Sequence, residues 1–174
     1  MKHFLVVVDI QNDFVDGSLG TKEAQSIIDN CVKKIVNFDG EIFVTYDTHD
    51  NDYLSTSEGK KLPVEHCIKG TPGWELNPKI ANALEGKSYT AVEKPTFGST
   101  ELPKLIENSA GESDFDITLI GLCTDICVVS NTLILKAYFS SKEIYVDSIC
   151  CAGVTPDTHN AALDTMRCCQ INIL

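Results

Sequence analysis

The stretch "FDITLIGLCTDICVVSN", residues 115–131, decides the fold. Residues 115–122 make an apolar run of strand length. Continuous rather than alternating apolar character marks a strand covered on both faces, as in a parallel sheet. From Thr124 the apolar spacing becomes helical and extends as "TDICVVSNTLILKAYFS", with Thr124 or Asp125 expected as the N-cap. A buried strand running directly into a helix is the repeating unit of an α/β protein.

The same unit recurs on both sides of this stretch. "HFLVVVDI" reads as the first strand. "TKEAQSIIDNCVKKIVNF" follows as a helix, with Ala24, Ile27, Ile28, Cys31, Val32, Ile35 and Val36 at helical spacing. "EIFVTYD" and "SYTAVEK" are the second and third strands. "STELPKLIENS" is a short helix, with Ser99 or Thr100 as cap and Pro103 in its first turn. After the opening stretch come a strand, "EIYVDSI", and a helix, "TPDTHNAALDTMRCC", with Thr155 as cap and Pro156 at the first helical position. "INIL" closes as a sixth strand. The expectation is one domain over residues 1–174, a three-layer α/β/α sandwich around a parallel six-stranded sheet. One long irregular segment, from Thr48 to about Lys87, breaks the alternation. Loops of this length in a compact domain are usually functional. This one holds two of the four histidines and the only Trp.

Composition narrows the function. The chain has 174 residues, 43% apolar and 22% charged, with a formal net charge of −11. That charge argues against nucleic acid and anionic membrane surfaces as partners. No apolar run reaches the roughly 18 residues of a membrane span, and the N-terminal run ends at Asp9 without a cleavage site. The expected compartment is the cytoplasm, and a homo-oligomer is expected. Eight cysteines stand at 31, 67, 123, 127, 150, 151, 168 and 169. Without a secretory signal a disulfide framework is not expected. No C-x-x-C occurs, and Ser130 stands where an iron–sulfur motif opened by Cys123 and Cys127 would need its third ligand. Most of the cysteines read as small buried residues.

In open α/β sheets, ligands bind beyond the carboxyl ends of the strands. Asp9 ends the first strand, Asp47 and His49 follow the second, Lys94 ends the third, and Cys127 opens the helix after the fourth. Each alone reads as a turn or cap residue; together they put Asp, Asp/His, Lys and Cys on one edge. The exposed N–H groups and dipole of a helix start favour thiolate at Cys127. Asp9 can accept its proton, and Lys94 can hold both anions. Cys123, one turn earlier, reads as a structural residue whose backbone N–H joins that of Cys127 in an oxyanion hole. Within the long loop, Asp47, His49 and His66 carry donors that suit zinc, iron or manganese. Asp50, Asp52, Glu58 and Glu65 are the candidates for a fourth ligand, and a solvated acidic loop is the alternative.

"VVVDIQNDFVDGSLG", "EKPTFGST" and "GLCTDICVVSN" resemble, over nearly the whole chain, the three motifs of the isochorismatase-like cysteine hydrolases, and within them the nicotinamidase group. The resemblance implies Asp9, Lys94 and Cys127 as the catalytic set, with Cys127 rather than Cys123 as nucleophile. It implies a cis peptide before Cys123. It also implies one divalent metal ion, zinc first and iron or manganese next, on Asp47, His49, Glu58 and His66. The implied reaction is hydrolysis of a small amide through a thioester, nicotinamide to nicotinate and ammonia. Other cysteine amidases of the family act on carbamoyl or ureido compounds, and a non-catalytic binding protein is the rival of another class. Where nicotinamidases often carry an aromatic residue before the last metal histidine, this chain has Leu62 and Pro63. Phe14, Phe97 and Trp74 are therefore the expected ring contacts.

Overall fold

A computed structural model describes residues 1–174. Its sheet has six parallel strands: β1 (Lys2–Val8), β2 (Glu41–Asp47), β3 (Tyr89–Lys94), β4 (Phe115–Leu122), β5 (Glu143–Ala152) and β6 (Asn172–Ile173). Their order is β3-β2-β1-β4-β5-β6. β1 is buried along both faces, because successive side chains alternate between layers. Phe4, Val6 and Val8 join one core cluster, Leu5 and Val7 the other. The first layer is closed by helices α4 (Leu102–Ala110), α5 (Val129–Tyr138) and α6 (Pro156–Cys168). The second is closed by α1 (Asn12–Val15), α2 (Lys22–Asn37) and α3 (Pro78–Leu84). The expected sandwich is therefore the observed one. No helix is long and apolar enough to cross a membrane.

Three local expectations change. The segment from Thr48 to Lys87 is not wholly irregular. It contains a 3-10 turn at Tyr53–Ser55 and α3, started by the Asn77 side chain accepting from Lys79 N and by Pro78 in its first turn. α5 is preceded by a π turn, Thr124–Val128, capped by neither Thr124 nor Asp125. Those side chains are engaged elsewhere: Thr124 with His159 Nδ1 at 2.8 Å, Asp125 with Val154 N at 3.2 Å. α4 has Glu101 as cap residue, and Ser99 Oγ accepts from Leu102 N at 3.2 Å. Thr155 does cap α6, in a reciprocal box with Thr158.

The strand order reverses around β1. The chain leaves β1 for β2 on one side and later returns through β4 on the other. A crevice opens at such a switch point, beyond the carboxyl ends of β1 and β4. There β4 presses close to β1 at Gly121, which has φ +125°. A Cβ at that position would lie 2.1 Å from Val8 O. Only glycine allows this approach, one residue before Asp9.

Candidate active site and metal centre

Asp9 follows β1 with φ +47° and is completely buried. Lys94, the last residue of β3, pairs in register with Asp47 of β2. From there its ammonium reaches three groups: Asp9 Oδ2 at 2.6 Å, Asp47 Oδ1 at 3.2 Å and Cys127 Sγ at 3.5 Å. Thr96 O accepts a further bond at 3.0 Å. Asp9, Lys94 and Cys127 thus meet across three strand ends, with 0%, 1% and 5% exposure.

Burial works against the charge on Lys94, but Asp9, Cys127 and Asp47 outweigh it and hold the amine above its ordinary range. Burial raises the pKa of Asp9 above 3.8, against the pull of Lys94. Burial and then Asp9 push the Cys127 thiol well above its ordinary value, with Lys94 opposing. The helix start favours ionisation of this thiol, and burial of the sulfur opposes it. Both shifts favour keeping a proton on the Asp9–Cys127 pair. Asp9 Oδ2 is the one buried side-chain polar atom without an aligned hydrogen-bond donor, although Lys94 Nζ lies close to it.

Three positioning contacts escape motif reading. Thr45 Oγ1 donates to Asp9 Oδ1 at 2.5 Å. Asn131, fully buried in α5, donates to Cys127 O at 2.8 Å and Phe97 O at 3.1 Å and accepts from Ser99 N at 2.9 Å. It ties the Cys127 turn to the segment after Lys94. The buried Gln11 side chain accepts from Asp47 N at 2.8 Å and donates to Asp47 O at 2.9 Å and Trp74 O at 2.8 Å. A polar residue two positions beyond a buried strand end was the available signal for Gln11. Thr45 and Asn131 sit inside an apolar strand and helix and gave none.

Asp47, His49 and His66 bring ligand atoms within 4.8 Å of one another. Asp47 Oδ2 is 3.0 Å from His49 Nε2 and 3.5 Å from His66 Nε2. Glu58 Oε1 lies 3.9 and 3.7 Å from the same two nitrogens. Asp50, Asp52 and Glu65, the other candidates, are exposed. His66 Nδ1 is 2.8 Å from Val64 O, which fixes its proton there and leaves the Nε2 lone pair facing the carboxylates. Burial and then Asp47 raise the pKa of Glu58. A buried and a half-buried carboxylate with two buried imidazoles around one point are a donor set that a divalent cation fits and neutralises. The loop carrying His66 is held by Asp13, whose Oδ2 accepts from Cys67 N at 2.8 Å.

Between the two centres lies a cavity of about 50 Å³. Phe14 and Phe97 line it, with Leu19, Leu62, Ile126, Cys123 and Cys127. Asp47, Glu58 and His66 form its polar end. Trp74, the third expected ring contact, is not in it. Its ring packs on Tyr46 at 5.2 Å, and its Nε1 donates to Thr48 Oγ1 at 2.9 Å. Leu19, Leu62 and Ile126 take the remaining walls. The Leu122–Cys123 peptide is cis, and Cys123 O accepts from Ile126 N and Val128 N at 3.0 Å each.

The isochorismatase domain pattern matches residues 3–173. The chain belongs to the isochorismatase family. It is 30% identical to the uncharacterized isochorismatase family protein PncA of Bacillus subtilis, over 94% of this chain and 93% of that one. It is 26% identical to the nicotinamidase/pyrazinamidase of Mycobacterium tuberculosis, over 98% and 97%. The crystal structure of nicotinamidase/pyrazinamidase PncA from Bacillus subtilis superposes with TM-score 0.86 at 27% identity, covering 99% of each chain. The Mycobacterium protein and the Bacillus crystal structure are both named nicotinamidase/pyrazinamidase, whereas a more distant solved neighbour, from Thermoplasma acidophilum, is an N-carbamoylsarcosine amidase at 25% identity and TM-score 0.78, covering 99% of this chain and 95% of that one.

Proposed function

We propose that the protein is a cysteine amidohydrolase that converts nicotinamide to nicotinate and ammonia. The observation that carries this reading is the placement of Lys94 Nζ between Asp9 Oδ2, Asp47 Oδ1 and Cys127 Sγ. One cation serves an acid–thiol pair on one side and a metal-type donor set on the other.

Asp9 takes the thiol proton on Oδ2 as the Cys127 sulfur attacks the amide carbon. The backbone N–H groups of Cys123 and Cys127 hold the oxyanion, an arrangement worth about 3 kcal/mol for one donor. Asp9 returns the proton to the departing nitrogen, the C–N bond breaks, and ammonia leaves a thioester. Asp9 then draws a proton from water, whose oxygen attacks the thioester carbon; the C–S bond breaks, Asp9 returns that proton to the Cys127 sulfur, and the acid leaves and ionises to nicotinate. Lys94 stays charged throughout and limits the repulsion between Asp9 and the developing sulfur anion. Phe14 and Phe97, with Leu19, Leu62 and Ile126, enclose the ring. Asp47, His49, Glu58 and His66 would hold a divalent ion, zinc before iron or manganese, which would supply Lewis acidity toward the ring nitrogen.

The test is ammonia release from metal-loaded protein across nicotinamide, benzamide, an N-carbamoyl amino acid and a ureido compound. Nicotinamide is expected to be the best substrate, and benzamide, which lacks the ring nitrogen, at least tenfold poorer in kcat/KM. Turnover of carbamoyl or ureido compounds alone replaces the substrate assignment. No ammonia from any of the four supports the binding-protein alternative.

A further inference from the structure

Two thiols outside the proposed reaction meet between α2 and β5. Cys31 is 0% and Cys150 is 2% exposed. Cys31 Sγ donates to Cys150 O at 3.2 Å, which sets the two cysteines side by side. β5 is irregular at this point. Leu119 of β4 pairs with Val146, but Gly121 pairs with Cys151, so β5 carries extra length from Asp147 to Cys150. Such a bulge re-aims side chains. Ile149 is thrown outward, 66% exposed, and its carbonyl accepts from Asn30 Nδ2 at 3.0 Å, beside Cys31. Cys150 joins the core layer of α2, whereas Cys151 joins the opposite one. Cys150 is therefore the member of the adjacent pair that confronts Cys31.

A cavity of about 490 Å³ opens onto Cys150. His3, Asn30, Lys33, Lys34 and Asp147 contribute to its walls. Lys34 Nζ is 2.9 Å from Asp147 Oδ2. His3, near the start of β1, and Phe38 and Asp39, just before β2, place its far end toward the amino ends of the strands. The two sulfurs are unequal. The neighbouring Cys31 lowers the Cys150 thiol, and Lys34 adds to this against burial and Asp147. The closeness of Cys150, and burial after it, push Cys31 up. The sulfur of the residue that lines the cavity is thus the one that ionises more readily, and that of Cys31 the one that holds its proton.

We propose that Cys150 and Cys31 are an attacking and a resolving thiol that close a reversible disulfide when a hydroperoxide enters the 490 Å³ cavity. The Cys150 thiolate attacks the peroxide oxygen. The O–O bond breaks, the peroxide is reduced to water or an alcohol, and Cys150 becomes a sulfenic acid. Cys31 sulfur then attacks that sulfur. The S–S bond forms, the S–O bond breaks, and the hydroxyl leaves as water with the Cys31 proton. A dithiol reverses the change by exchange.

The intact protein is titrated with hydrogen peroxide, alkylated, digested with trypsin and mapped without reduction. The fragment "EAQSIIDNCVK" is expected to appear cross-linked to the fragment holding Cys150 and Cys151. The link is expected at or below the dose that oxidises the exposed Cys168 and Cys169. Dithiothreitol is expected to restore both thiols. The link should survive Cys151→Ser, and Cys31→Ser should leave a dimedone-reactive sulfenic acid at Cys150. The wild-type map alone decides if a variant misfolds. Cys31 remaining alkylatable after Cys168 and Cys169 are oxidised overturns the proposal, as does a link that runs through Cys151.

Discussion

Thr45 Oγ1 donates to Asp9 Oδ1 at 2.5 Å, from the neighbouring strand and out of contact with solvent. This bond occupies one carboxylate oxygen and turns the other, Oδ2, toward Lys94 and the thiol. Thr45→Val keeps the shape and removes the donor. A hydrogen bond to a charged group is worth about 1.5–3 kcal/mol, so kcat should fall by roughly 10- to 100-fold with KM little changed. Thr45→Ser should restore most of the loss. Steady-state kinetics on the three proteins check this; equal kcat in the valine variant would remove Thr45 from the positioning of Asp9.

Cys127→Ala should abolish turnover, whereas Cys123→Ala should retain a measurable fraction. Cys127 alone contacts Lys94, and Cys123 contributes through its backbone, which alanine preserves. Ammonia release from both variants is the measurement. An inactive Cys123→Ala beside an active Cys127→Ala would exchange the two roles.

Asp9→Asn should fold and lose activity by about 10²- to 10⁴-fold, the usual contribution of a general base. An amide cannot carry the proton from sulfur to nitrogen. Circular dichroism and single-turnover rates together separate a chemical loss from unfolding.

The wild-type pH profile should show an acid limb set by Asp9. Activity requires Asp9 ionised, so it is lost as pH falls through the Asp9 pKa. Burial raises that pKa above 3.8, so the fall in kcat/KM should begin above the range of a free aspartate. A profile flat down to the ordinary aspartate range would contradict the buried, proton-accepting role.

Removing the metal should raise KM far more than it lowers the thermal midpoint, because the parallel sheet and both core layers form without the loop donors. Glu58→Ala should lower metal content in elemental analysis. Unchanged content would leave the ligand set at Asp47, His49 and His66 and assign the next position to another donor.

The strand–helix alternation was legible because apolar runs of strand length report burial on both faces. Asp9, Lys94 and Cys127 were legible because a parallel sheet sends all its carboxyl ends to one edge. Chemistry written in direction rather than in residue type was not. Trp74 was expected at the ring because it is aromatic and lies in the long loop, yet its indole turns to Thr48 and Tyr46. Asn131 sits in an apolar helix where the pattern offers no reason to single it out, and only the approach of Ser99 and Phe97 gives it a task. Helix α3 was hidden because Asn77 and Pro78 read as loop residues until the cap bond to Lys79 N is seen.

The in-register pairing of Asp47 with Lys94 limits how this scaffold can be re-engineered. The two halves of the site are not modular, because one ammonium answers to carboxylates on both sides. Asp47→Asn, introduced to discard the metal, also takes one anion away from Lys94. That strengthens its grip on Asp9 and makes the carboxylate a weaker base. A metal-free hydrolase built on this frame would therefore need a compensating anion near the end of β3 before its loop is redesigned.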